Sequence, residues 1–222
     1  MAFIPLPVKV PEIIKWYYNG YVWDKFNEVK KEKILYLTFD DGPIPEVTPW
    51  VLDILNKFNA QATFFCIGDN IRKHPEVFAQ LLKSGNRVGN HTYNHIKGWK
   101  TSKENYIENT LKAEEIIEKS VLEGQKSAIF PKLLRPPYGK ITRQQAKSLK
   151  AKDYEIIMYD VIAYDWDKNI SPEKCAENII RNARPGSILV FHDSLKAENN
   201  MKIALPVILK YYIERGYIFK RL

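Results

Sequence analysis

LYLTFDDGP, residues 35–43, is a short apolar run that stops at two adjacent carboxylates and a Gly-Pro turn. Such a run, bounded by turn residues and lacking an alternating polar face, reads as a strand covered on both sides, as in a parallel sheet. Asp40 and Asp41 then stand at its C-terminal end. Two like charges side by side repel, so the pair is either an acidic loop or a site where something positive separates two roles.

The pattern recurs along the chain. Strand-like runs at 62–67, 86–91, 132–136, 155–160, 187–192 and 217–222 alternate with segments of helical period at 48–58, 71–83, 102–122, 142–150, 172–182 and 201–215. Seven strands alternating with helices predict an α/β fold. Ser102, Thr142 and Ser171 are placed as helix N-caps, Pro172 in a first turn, and Gly85 and Gly216 at left-handed C-terminal positions.

The polar residues then choose between a barrel and an open sheet. Asp40 and Asp41 follow the first strand, His91 and His95 the third and Asp165 the fifth, while Arg135 ends the fourth and His192 the sixth. Side chains from the ends of five strands converge most readily when those ends form a ring, so the expectation is a β/α barrel with its site on the C-terminal face. An open doubly wound sheet would gather its site at one switch point instead.

At 222 residues, 45% hydrophobic and 27% charged, the chain has the composition of one soluble globular domain. No run approaches the roughly 18 apolar residues of a membrane span. The first residues, MAFIPLPVKVPEIIKW, lack a basic leader region and are interrupted by proline, so they do not read as a signal peptide. The expectation is a protein that stays inside the cell or has lost a leader, with peripheral membrane association as an alternative. Cys66 and Cys175 are too far apart in sequence and too few for a disulfide framework and read as packing residues. The net charge of +8 favours anionic surfaces or cell-wall polymers. Its lysines are scattered rather than interleaved with aromatics, which argues against nucleic acid. Residues 1–33 stand apart; the aromatic stretch WYYNGYVWDKF (16–26) is expected to pack across the barrel, with a membrane or partner interface as the alternative.

Four further segments carry chemistry. HTYNH (91–95) sets two imidazoles four residues apart; such pairs are common by chance, but three of the four histidines in this chain sit at strand ends. Two histidines and one carboxylate leave positions open on a divalent ion, the arrangement of a hydrolytic metal rather than a structural one. With Asp41 as third ligand, Asp40 is free to act as a base. In LRPPYG (134–139), Arg135 either lies on the surface or holds a carboxylate such as Asp40 and lowers its pKa. Prolines donate no N–H, so Tyr138 supplies the first free amide after them, a candidate oxyanion donor. In AYDWD (163–167), Asp165 is placed to accept from an imidazole and Trp166 to form an apolar wall or simply fill the core. In GSILVFHDS (186–194), His192 is positioned as a general acid or as another ligand, and Asp193 as a cap.

Taken together, the sequence resembles the polysaccharide deacetylase family, also called the NodB-homology domain or carbohydrate esterase family 4, over about residues 34–222. Five segments in the family's order carry the resemblance: TFDD (38–41), HTYNH (91–95), RPPYG (135–139), YDW (164–166) and LVFHD (189–193). It implies a distorted (β/α)7 barrel, a single domain with residues 1–33 as an N-terminal packing segment. It also implies Asp40 as catalytic base and Asp41, His91 and His95 as ligands of a divalent metal, Zn2+ foremost, with Co2+, Ni2+ or Mn2+ as alternatives. Arg135 is similar to the arginine that positions the base. Tyr138 is similar to the residue whose backbone N–H joins the oxyanion hole, Asp165 to the residue that tunes His192, and Trp166 to the wall of the acetyl pocket. Val190 departs from the leucine common there and would enlarge that pocket slightly.

The implied activity is hydrolysis of the N-acetyl group of N-acetylglucosamine in a polysaccharide or oligosaccharide, releasing acetate. Rivals on the same fold are an O-acetyl esterase and a small-amide hydrolase; a rival of another class is a carbohydrate-binding domain without activity. A competent residue at every catalytic position argues against the last. Peptidoglycan, chitin oligomers and exopolysaccharide all stay open as the glycan, as does the oligomeric state.

Overall fold

A computed structural model describes residues 7–29 and 32–222. Helices α1 (Glu12–Tyr17) and α2 (Phe26–Val29) precede strand β1 (Ile34–Asp40) and helix α3 (Thr48–Lys57). Next come β2 (Thr63–Cys66), α4 (Gly68–Lys73), α5 (Pro75–Lys83), β3 (Arg87–Asn90), α6 (Lys103–Lys119) and β4 (Lys132–Leu134). The chain continues through α7 (Arg143–Lys150), β5 (Tyr154–Ile156), β6 (Val161–Ile162), α8 (Pro172–Asn182), β7 (Ile188–His192), α9 (Glu198–Ile213) and β8 (Ile218–Lys220).

The strands pair in parallel in the order β5-β4-β3-β2-β1-β7-β6, and β8 lies beside the first half of β1. Every residue of β1 is buried, as a central strand with helices on one side and a filled interior on the other requires. Alternation divides its side chains. Leu35, Leu37 and Phe39 face the helices with Phe64, Phe191 and Leu205. Tyr36 joins the inner cluster with Phe65, Leu134, Ile162 and Val190, and the same face carries Thr38 and Asp40 upward to the rim.

The fifth expected strand is not one strand. β5 stops at Ile156, residues 157–160 cross the open seam of the sheet, and β6 restarts beside β7. The crossing is bonded at both ends, Ile157 N–H to Leu134 O at 2.8 Å and Asp160 N–H to Ile188 O at 3.0 Å. The N-terminal segment covers it from outside: Met158 N–H donates to Val22 O, Val10 N–H to Asp160 O and Ile162 N–H to Val8 O. These bonds satisfy backbone groups that a strand would have paired, and the unbroken apolar run around Met158 carries no Gly or Pro to mark the break. Asp165 therefore follows β6, and the ring of strands is a curled, distorted barrel. In the same region Lys15 of α1, 7% exposed, sits 2.6 Å from Asp160 Oδ1 and 2.8 Å from Asp24 Oδ2.

Local signals behave as their chemistry dictates. Ser102, Thr142 and Ser171 accept from the N–H three residues on, and Gly85 and Gly216 hold φ of 75° and 77°. The helix expected over 71–83 breaks at His74, because Pro75 cannot donate and starts α5 instead. Cys66 and Cys175 are buried thiols. Among the described residues no helix is long and apolar enough to cross a membrane.

Candidate active site

At the C-terminal rim, β1 ends with Asp40 pointing inward in register with His192 of β7. Asp41 leaves the strand with φ of 84°, which turns its carboxylate away from the direction strand alternation would give it. Thr92, His95, Tyr138 and Tyr164 hold φ between 56° and 66°. Left-handed backbone in a non-glycine residue costs on the order of 1 kcal/mol or more and persists only where the surroundings over-determine it. Five such residues around one rim mark a site held in place by the barrel beneath.

Gly42 shows how tightly. A Cβ there would lie 1.9 Å from Asp193 Oδ2, because Asp193 accepts the Gly42 N–H at 3.0 Å and the Thr48 hydroxyl at 2.6 Å. Thr48 Oγ1 in turn accepts the Ile44 N–H. Burial pushes Asp193 up to about 8, against the Thr48 bond and with the charge of Asp41 adding to the rise. Asp193 is thus the clamp that fixes the loop after Asp41, a role the sequence reading of a cap did not reach; its partner amide lies 151 residues away.

Asp41, His91 and His95 offer three donor atoms within 4.8 Å of one another. Asp41 Oδ1 lies 3.7 Å from His91 Nε2 and 3.4 Å from His95 Nε2. His91 Nδ1 lies 2.7 Å from the Arg135 carbonyl; a carbonyl only accepts, so Nδ1 carries the proton and Nε2 presents its lone pair. Burial pushes His95 down to about 4, with His91 adding to the fall and Asp41 and Asp40 opposing it, so His95 is a neutral donor at pH 7. Asp41 Oδ1 is buried without a hydrogen-bond partner. A carboxylate oxygen removed from water and facing two ring nitrogens is the donor set of a divalent cation, and the residues present fit one.

Arg135 is 2% exposed and spends its guanidinium on three acceptors: Thr38 Oγ1 at 2.6 Å, Asp40 Oδ1 at 2.8 Å and Met158 O at 2.8 Å. Its guanidinium carbon lies 4.2 Å from the Phe65 ring centre. Burial alone would raise Asp40, but the Arg135 charge, helped by His91 and His192, holds it below the usual carboxylate range. Thr38, whose hydroxyl donates to Leu189 O, is a second support that the sequence reading missed. Beyond Arg135, the Gly139 and Lys140 N–H groups close onto the Pro136 and Pro137 carbonyls, and neither bond uses the Tyr138 N–H. The Tyr138 ring stands 4.6 Å from His95.

Across the rim Asp165 grips His192 twice, Oδ2 accepting its backbone N–H at 2.7 Å and Oδ1 lying 2.9 Å from Nδ1. Burial would lower His192, but the charge and hydrogen bond of Asp165 outweigh it and lift the imidazole to about 9. Trp166 stands edge-on 4.6 Å from the His192 ring and stacks on Tyr164. Val190, two residues before His192 and so on the same face, is buried in the inner cluster.

A divalent-cation donor set of two imidazoles and a carboxylate, a depressed carboxylate and a raised imidazole at one barrel rim define a class, the metal-dependent hydrolases. The family described as polysaccharide deacetylase matches residues 27–157, and the chain belongs to this family, whose members depend on a divalent metal. It is 36% identical over 204 residues to a peptidoglycan-N-acetylglucosamine deacetylase of Bacillus cereus, covering 90% of this chain and 91% of the relative. It is 32% identical to the peptidoglycan-N-acetylmuramic acid deacetylase PdaC of Bacillus subtilis, covering 84% of this chain but 37% of that protein. In structure it is similar to a peptidoglycan N-acetylglucosamine deacetylase in complex with 4-naphthalen-1-yl-N-oxidanyl-benzamide, with a TM-score of 0.84, 31% identity and coverage of 96% and 95% of the two chains. The fold and the hydrolase class are those of this family.

Proposed function

We propose that this chain removes the acetyl group from N-acetylglucosamine residues of peptidoglycan. The observation that carries the reading is the opposition across one rim of a carboxylate held ionised by Arg135 and an imidazole held protonated by Asp165. Amide hydrolysis needs both at once, a base for water and an acid for a poor leaving group. The relatives' names and the net charge of +8, which favours approach to an anionic wall polymer, support the choice of glycan.

A zinc ion held by Asp41, His91 and His95 would polarise the acetyl carbonyl and acidify water. Asp40, its Oδ1 fixed by Arg135, takes the proton of the attacking water. The Tyr138 N–H donates to the oxygen on which negative charge develops. Trp166 and Val190 bound the acetyl methyl group with apolar surface. His192 donates its proton to the departing nitrogen, leaving free amine and acetate.

The test is acetate release by the zinc-loaded protein from N-acetylated peptidoglycan, with O-acetylated xylan alongside. Acetate together with new free amines on peptidoglycan is the expected result. Release from the O-acetyl substrate alone would overturn the reading.

The proton inventory makes a second expectation. His192 acts while protonated, so the rate falls as pH rises through about 9, whereas Asp40 stays ionised well into acid. Asp165→Asn removes the charge that lifts His192, so the alkaline limb of the kcat profile should move toward neutral. An unmoved limb in initial-rate profiles would remove Asp165 from its role.

A further inference from the structure

Helix α1 is inverted relative to an ordinary surface helix, which turns its apolar side inward. Its one cation, Lys15, points into the protein, 7% exposed and within 2.8 Å of both Asp24 and Asp160. Ile13, Trp16 and Tyr17 instead stand 67%, 71% and 57% exposed. Positions i, i+3 and i+4 share one helix face, so the three form a single apolar patch. The aromatic stretch 16–26 therefore divides: Trp23 is buried in the inner cluster, whereas Trp16 and Tyr17 project outward. A lysine held by two carboxylates fixes which face of the helix looks out, so packing itself sets the exposure.

Cations border the patch. Arg143 lies 5.0 Å from the Tyr17 ring centre and Lys150 5.9 Å from that of Tyr21. Both belong to α7, whose exposed residues Arg143, Lys147 and Lys150 recur at i, i+4 and i+7 and whose sequence RQQAKSLK holds no acid. Glu12, the one acid of α1, is paired with Arg184 at 3.2 Å.

We propose that this face docks on an anionic lipid bilayer, with Ile13, Trp16 and Tyr17 entering the headgroup boundary and Arg143, Lys147 and Lys150 lying against the lipid phosphates. Trp and Tyr favour that boundary because their rings are apolar at one end and polar at the other. Adjoining cations add attraction to negative headgroups, and the two signals together hold where either alone is weak. The same charge selects the occupant. A second copy of the chain seated here would bring the α7 cations of one protomer toward those of its partner. A glycan stacks on ring faces and gains little from Ile13. At six residues α1 reaches only into the interface, so the attachment is peripheral and reversible. The inference does not depend on the deacetylase reading of the rim.

Sedimentation of the full chain with phosphatidylcholine vesicles containing one quarter phosphatidylglycerol tests it, with pure phosphatidylcholine alongside. The chain should bind the mixed vesicles more tightly than the neutral ones and come off them as salt rises. Ile13→Ser with Trp16→Ser should weaken binding by about tenfold or more. Arg143→Gln with Lys147→Gln and Lys150→Gln should weaken it by about 100-fold, near fivefold per cation. All five side chains are exposed, so the variants keep the fold, and matched melting temperatures check this. No binding of the mixed vesicles by the wild type, or equal binding by the wild type and both variants, overturns the proposal. Binding to purified peptidoglycan that the variants lose, with no vesicle binding, assigns the face to glycan instead. A concentration-dependent dimer that the variants abolish assigns it to a second copy, and either result sinks the lipid reading.

Discussion

Asp40→Asn is expected to lower kcat by roughly 10²–10⁴-fold, the share that a positioned general base contributes, while metal content stays at the wild-type level. Asparagine keeps the size of the side chain and an oxygen to accept from Arg135, but it cannot take a proton from water. His91→Ala should behave differently and lose metal and activity together, because its Nε2 is one of the three donors and its Nδ1 is what the Arg135 carbonyl orients. Turnover and metal analysis on the two variants separate the role of Asp40 from that of the candidate metal donors. Near-normal turnover in Asp40→Asn would mean that another group acts as the base.

Arg135→Met should have the largest effect on stability. Removing one partner of a buried ion pair leaves the other charge uncompensated and costs about 3–5 kcal/mol. Here the pair is 2% and 7% exposed at its side chains, so water rescues neither group. The sign with pH also follows. With Arg135 present, Asp40 is depressed, so its contribution to stability is present above the unfolded carboxylate pKa and is lost as pH falls through the folded one. Without the arginine, burial dominates and ionised Asp40 becomes a cost, so the deficit against wild type should shrink in acid. Urea unfolding at neutral and acidic pH measures both effects. Equal midpoints for variant and wild type would show that the pair does not contribute to stability.

The rim was legible in the sequence because its residues sit where apolar runs end. Asp40 and His192 follow runs whose alternation places them inward, and a histidine or aspartate there has few structural reasons to exist. The candidate metal set was legible for the same reason, since His91 closes the third run and His95 lies one tight loop further. The supports were less visible. Thr38 reads as an ordinary β-branched strand residue, and Asp193 as a cap, because their partners Arg135 and Gly42 are remote in sequence. The seam could not be read at all. Nothing in the apolar stretch around Met158 distinguishes six residues of strand from three of strand and a crossing, since the bonds that settle it come from Val8, Val10 and Val22. The buried Lys15–Asp160 pair joins residues 145 apart, and a lysine in a short amphipathic helix gives no local sign of burial.

The left-handed backbone at Asp41, Thr92, His95, Tyr138 and Tyr164 sets a limit on improving this protein by selection for heat resistance alone. Glycine adopts those angles without strain, so a screen scored on melting temperature would be drawn toward glycine at positions that include two of the three candidate metal donors. Gains in thermal tolerance and retention of activity would then diverge. A library meant to keep the enzyme working should leave these five codons fixed and seek its gains on the helices around the barrel.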